Sequence, residues 1–162
     1  MSEEMQKHSR FGDSELVEVW FKIEKDADGY PESKNWEGLL TRPEGDGFCR
    51  LLSVPFYLKN VSRGDLVAAA SGRFLEFSRI LERSGHNTYR LLLKEVPPSD
   101  LARTVDELLK MGLAVEEEKG ILLAVDVPPS ANQAEVDSYL VAEAKSGRWE
   151  MQDGFLSSIE TT

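Results

Sequence analysis

The densest set of side chains able to do chemistry lies in RILERSGHNTYR, residues 79–90, where Arg79, Arg83 and Arg90 surround His86. Guanidinium forks suit carboxylate or phosphate groups, and imidazole is the side chain that changes charge near neutral pH. A functional reading makes His86 a general acid or base while one of the arginines holds an anion. The plainer reading, which the composition favours, has Ser84, Gly85 and Asn87 build a hairpin turn that His86 caps, with the arginines offsetting an acidic surface. A Ser-His-Asp set can be written from Ser84, His86 and Asp65, but the chain has neither a Gly-x-Ser-x-Gly elbow nor a Gly-rich phosphate loop. Hydrolase and nucleotide-binding assignments are therefore unsupported.

Metal and redox chemistry fare no better. Cys49 is the single cysteine, which excludes an intramolecular disulfide and any multi-cysteine zinc or iron–sulfur site. His8 and His86 have no second ligand at helical spacing. Asp26-Ala27-Asp28-Gly29 places its glycine at the fourth position instead of the sixth, so it reads as a turn and not as a calcium loop. No cofactor is expected. Cys49 itself, within FCRLL, reads as a small core residue.

The remaining candidates are contact residues. Trp20, Tyr30, Trp36, Phe56 and Tyr57 enrich the first half in aromatic rings, which either fill a small barrel or anchor a protein partner. Trp20 lies opposite Val19 and Phe21 in an alternating run, so it is exposed if the strand is covered on one side and core if covered on both. Glu116–Glu118 reads as a solvated strand edge that discourages aggregation, with an acidic docking patch as the alternative.

These residues must be positioned by a chain of 162 residues that is 41% hydrophobic and 30% charged, enough for one domain or two small ones. Residues 1–14 are polar and aperiodic, a flexible lead-in. In LVEVWFKIEKD, Val17, Val19, Phe21 and Ile23 alternate with Glu18, Trp20, Lys22 and Glu24, the period of a half-buried strand. DADGYP turns the chain. Trp36 to Leu40 forms a strand or a short helical turn, and EGDG, residues 44–47, reverses the chain into FCRLLSVPF. Arg63-Gly64-Asp65 feeds the strand LVAAA; in RFLEFSRILERS, Phe74, Phe77, Ile80 and Leu81 fall near helical spacing while the run also alternates in part, and it is read as a further strand, in preference to a helix, closed by Ser84–Asn87. Short strands and Gly-rich turns over 15–87 predict a small curved sheet or barrel.

From Thr88 the pattern changes. TYRLLLKEV is a strand ended by Pro97-Pro98; Ser99 then caps a helix through Met111, with Leu101, Val105, Leu108 and Leu109 on one face and Gly112 as terminator. LAVEEEK, the Lys119-Gly120 turn and ILLAVDVP form a hairpin. Ser130 and Gln133 fit a capping box for a second helix carrying Val136, Tyr139 and Leu140 and stopping at Gly147, and RWEMQDGFLSSI adds a last strand. The order β-α-β-β-α-β over 88–158 predicts a ferredoxin-like half with both helices on one face of a four-stranded antiparallel sheet. The expected class is α+β.

Four blocks, VWFKIEKDADGYP, the Trp36-Glu37 pair, VPFYLKNVSRGDLVAA and ILERSGHNTYRLLL, together resemble a bacterial family defined as a domain of unknown function. The resemblance runs from Val19 to Leu93 and implies a bacterial, cytoplasmic protein but no activity or cofactor. If the positions that carry it form a site, they are Tyr30, Trp36, Glu37, Phe56, Asp65, Ser84, Gly85, His86 and Arg90.

Charge points the same way. The 29 acidic and 19 basic residues leave a net charge of −10, which repels nucleic-acid backbones, and the two halves carry −3 and −7. There is no long apolar run and no secretory pattern at the N-terminus, so neither a membrane nor export is expected. The leading expectation is a non-enzymatic, acidic interaction protein, such as an immunity protein or antitoxin, for a basic protein partner. The competing expectation is a small enzyme or ligand sensor with a site at the interface of the two halves, lined by His86, Arg83, Arg90 and Glu37. The sequence leaves the oligomeric state open.

Overall fold

The computed structural model describes residues 15–94 and 98–157, of which 98 and 99 are described in backbone alone. The lead-in 1–14, Pro97 and the proposed capping side chain of Ser99 lie outside the described residues.

The described chain falls into two compact units. The first holds the described residues through Ser53 together with Gly64–Ser84; the second holds Val54–Arg63 and the described residues from Gly85 onward. This grouping departs from a contiguous division at 87/88. Residues 54–63, expected to belong to the barrel, leave it and join the second sheet.

Five strands build the first unit: β1 (Val17–Lys22), β2 (Trp36–Pro43), β3 (Phe48–Leu51), β4 (Leu66–Ala70) and β5 (Glu76–Glu82). They form a closed barrel in the order β1-β2-β3-β4-β5. Consecutive strands are antiparallel, so with an odd number the first and fifth run the same way and the seam must be parallel. The seam pairs Trp20 with Glu76, and the Trp20 amide donates to the Leu75 carbonyl at 2.9 Å. Alternation fills the interior: Val19, Phe21, Leu39, Cys49, Leu51 and Val67 are buried, and Phe77 stacks on Phe21 at 4.6 Å. Trp36 to Leu40 is strand, and RFLEFSRILERS supplies β5 as expected.

The second unit comprises β6 (Asn87–Leu93), α1 (Pro98–Lys110), β7 (Ala114–Glu118), β8 (Leu122–Val127), α2 (Gln133–Lys145) and β9 (Trp149–Asp153). Its antiparallel sheet has the order β7-β8-β6-β9. Tyr89, Leu91 and Leu93 of β6 and Leu123, Val125 and Val127 of β8 point to one face, where they pack with Leu108 of α1, Val136 and Leu140 of α2, and Trp149. Leu109, expected on the buried stripe of α1, is 51% exposed; eight residues beyond Leu101, it has rotated off the contact line.

Three local expectations change. Ser84–Asn87 is not a hairpin turn, because β5 and β6 belong to different sheets; the segment is the connection between them, with Gly85 at φ +85°. The cap of α2 is Asn132, whose side chain accepts from the Glu135 amide at 3.1 Å, while Ser130 falls in the preceding turn. Gln133 bonds instead to Asn87 at 2.6 Å and Asp137 at 2.7 Å.

Candidate functional site

Two faces of the molecule carry the groups singled out by sequence, one in each unit.

In the second unit, the sheet face away from the helices is polar. Thr88 of β6 stands opposite Asp126 of β8, and Arg90 stands opposite Ala124. Asp126 is 1% exposed, and a carboxylate so desolvated must be matched by donors. His86 provides the match: its Nδ1 lies 2.8 Å from each Asp126 oxygen. A carboxylate that accepts at this distance pairs with an Nδ1–H, the arrangement in which Asp126 would fix the ring's tautomer and orientation. The Arg63 guanidinium stands 3.9 Å from the same carboxylate and is partly exposed.

Residues 54–63 cross this face. The Val54 amide donates to Glu116 at 2.6 Å, the Tyr57 hydroxyl donates to Glu118, and the Arg90 guanidinium donates to the Leu58 carbonyl. Glu116 and Glu118 are thus anchors for an incoming segment and not only a solvated edge. Arg90 is 3% exposed and works inside the fold, so it offers no surface to an anion.

In the first unit, Asp65 is fully buried; it accepts from the Ser84 amide at 2.8 Å and from Arg83 at 3.2 Å. Asp65 holds the backbone of Ser84, and the carboxylate on His86 Nδ1 is Asp126. Sequence reading missed Asp126, although a single charge inside the apolar run ILLAVDV was the available signal. Glu37 faces the barrel side of β2 and is 9% exposed. Tyr30, in the DADGYP turn, is half exposed, and Asp26 closes that turn by accepting from the amides of Asp28 and Tyr30 at 2.9 Å each.

The outer face of the barrel carries a second constellation. Trp20 of β1 is half-buried and meets Phe74 edge to face at 6.2 Å; Trp36 of β2 meets the same ring at 5.5 Å. Trp36 and Phe74 are 37% and 41% exposed. The alternative left open for Trp20 resolves to an outward ring, partly covered by its aromatic neighbour.

Among the described residues no group of three or more His, Cys, Asp or Glu side chains could hold a metal ion, and no helix is long and apolar enough to cross a membrane. A shallow cavity of about 430 Å³ lies along α2, lined by Asp137, Ser138, Val141, Ala142 and Lys145. It includes none of the residues singled out by sequence.

The sequence model of the domain of unknown function DUF4265 matches residues 37–151. The chain belongs to this family. The match begins at Glu37 and extends well beyond Leu93, so it takes in His86 and Asp126 and leaves Trp20, Tyr30 and Trp36 outside. No curated protein matches the DUF4265 chain. A crystal structure of a hypothetical protein from Neisseria gonorrhoeae is similar, with a TM-score of 0.68 at 19% identity over 86% of this chain and 94% of that one. The two share an α+β fold.

Proposed function

We propose that this DUF4265 protein is an acidic, non-enzymatic protein-interaction module of the bacterial cytoplasm, of the immunity or antitoxin type, that binds a basic partner protein through the outer face of its barrel. The observation that carries this reading is the Trp20-Phe74-Trp36 cluster, whose Trp36 and Phe74 rings are exposed. Tryptophan anchors are enriched at the centres of protein interfaces, and clustered exposed rings mark contact surfaces more often than scattered ones. The net charge of −10 adds long-range attraction for a basic partner. In this reading the second unit is a ferredoxin-like scaffold, supported by its β-α-β-β-α-β order and the sheet order β7-β8-β6-β9. No cofactor, nucleic acid or membrane enters it.

The test is capture on the immobilised protein from native lysate, eluted by salt, with Trp36→Asp beside the wild type. A basic protein held by the wild type and lost from Trp36→Asp is the expected result. Equal capture by both forms removes the barrel face from the reading.

The His86–Asp126 pair favours a second reading, an enzyme or ligand sensor that uses His86 for proton transfer. An imidazole oriented through Nδ1 by a buried carboxylate directs Nε2 chemistry in general-base sites. Imidazole ¹⁵N shifts test its premise: the Nδ1–H tautomer in the wild type and a mixed population in Asp126→Asn are expected. A mixed population in the wild type sinks this reading.

A further inference from the structure

The barrel face has a chemical bias that names its partner's side chain. Trp20 on β1 stands directly opposite Gly38 on β2, and Glu18 stands opposite Leu40. Glu18 and Trp20 alternate with the buried Val19 and Phe21, so both lie on the outer face with Trp36, Gly38 and Leu40. With no side chain, Gly38 leaves a depression in that face.

Glu18 lies across it. A Cβ at position 38 would sit 2.8 Å from both Cδ and Oε2 of Glu18, closer than atoms pack, so the carboxylate occupies the space that glycine vacates. No ion pair to Glu18 is formed among the described residues. The rings of Trp20, Phe74 and Trp36 stand beside it at steep mutual angles of 66° and 79°, presenting faces and edges in different directions. Glu76, the seam partner of Trp20, adds a second exposed carboxylate. Lys22, opposite Trp36, is the one cation at the strand positions paired around the rings.

A carboxylate lying in a glycine depression, bordered by indole rings, is complementary to a planar cation. We infer that this face binds an arginine side chain of the partner protein, with the guanidinium paired to Glu18 and stacked on an indole. Arginine satisfies both demands at once, since its planar fork matches a carboxylate and its weak hydration permits stacking on an aromatic face. A lysine ammonium, more strongly hydrated, gains less from the rings. This assignment rests on the interaction reading above and specifies the partner's chemistry.

The test titrates the full-length protein with a hexapeptide of alternating arginine and glycine and follows the indole N–H resonances of Trp20 and Trp36. The lysine and citrulline versions of the peptide serve as comparisons. Saturable shifts of both indoles with the arginine peptide, weaker with lysine and absent with citrulline, are expected. Glu18→Gln and Gly38→Ala should each weaken binding by about five- to tenfold. Gly38→Ala acts by displacing the mobile end of Glu18, so the rest of the spectrum should stay unchanged. Lys22→Gln should strengthen binding.

Equal binding by wild type, Glu18→Gln and Gly38→Ala overturns the inference, as does silence of both indoles at millimolar peptide. Equal binding of the citrulline peptide overturns the arginine assignment while leaving the face a docking surface. Failure of the docking surface itself is read separately, from undiminished capture by Trp36→Asp.

Discussion

Asp126 shows how one buried carboxylate organises a sheet face. It is matched by His86 at 2.8 Å and approached by Arg63, so truncating it removes a carboxylate that both groups face. Asp126→Ala is expected to cost about 1.5–3 kcal/mol, measured by urea denaturation, the contribution of a hydrogen bond to a charged group. A loss below about 0.5 kcal/mol would mean that the pair contributes nothing to the fold. Its cross-strand neighbour makes the contrast. The Thr88 hydroxyl is buried and has no hydrogen-bond partner among the described residues. Thr88→Val keeps the branched shape and removes the desolvated hydroxyl, so it should stabilise by about 1 kcal/mol. A destabilised Thr88→Val protein would show that the hydroxyl is bonded in solution.

At the scale of elements, the helices of the second unit are tied to β9 through Arg148. Its guanidinium reaches Glu107 and Thr104 of α1 at 3.0 and 2.7 Å and Glu143 of α2 at 3.3 Å, and it lies 5.0 Å from the Trp149 ring centre. The Tyr139 hydroxyl donates to Glu107 at 2.9 Å. That hydrogen bond, with Arg148 adding to it and burial opposing it, holds the Glu107 carboxyl below its ordinary value of 4.5. A depressed carboxyl contributes stability that is complete above the unfolded-state value and is lost as pH falls through the native one. Glu107→Gln should therefore be less stable than wild type at neutral pH, with the difference closing as the pH falls below the ordinary carboxyl value of 4.5. Midpoints of thermal unfolding against pH report it, and a difference independent of pH would refute the assignment.

These elements also show which parts of the fold could be read from sequence. The β7–β8 hairpin was legible because its turn is local: between the paired Glu118 and Leu122, Lys119 and Gly120 both take positive φ, 56° and 73°, as a tight reversal requires. The strand alternation of β1 was legible for the same reason, and with it the placement of Trp20 on the face opposite Val19 and Phe21, while whether that face is covered was not. The start of α2 was not, since Ser130 and Asn132 are both good caps and only the packing of Gln133 against Asn87 and Asp137 separates them. His86 could be singled out by residue type, but its partner lies forty residues away, and Arg90 looked available because its acceptor, Leu58, belongs to a segment assigned to the barrel. Phe74, between the two indoles, precedes β5, so its near-helical spacing with Phe77, Ile80 and Leu81 did not show that it lies beside Trp20 and Trp36.

The whole molecule is governed by how often the chain changes units. It enters the second unit at Val54, returns at Gly64 and leaves the barrel for good after Ser84. A fragment beginning at Thr88 would contain every strand and helix of the second sheet except for the single residue Asn87, and by secondary structure alone it should fold. The bonds argue otherwise. Without residues 54–63 and 86, Glu116, Glu118 and Asp126 lose the partners described above, and Arg90 loses the Leu58 carbonyl. Hydrogen bonds to charged groups contribute about 1.5–3 kcal/mol each, against a total stability of about 5–15 kcal/mol for a typical domain. The 88–162 fragment is expected to lack a cooperative unfolding transition. Supplying residues 54–63 in trans as a peptide should restore part of the missing amide dispersion in its NMR spectrum, because the lost interactions are contacts and not covalent links. A fragment that folds cooperatively alone would show that the crossing segment is an ornament on a self-sufficient sheet.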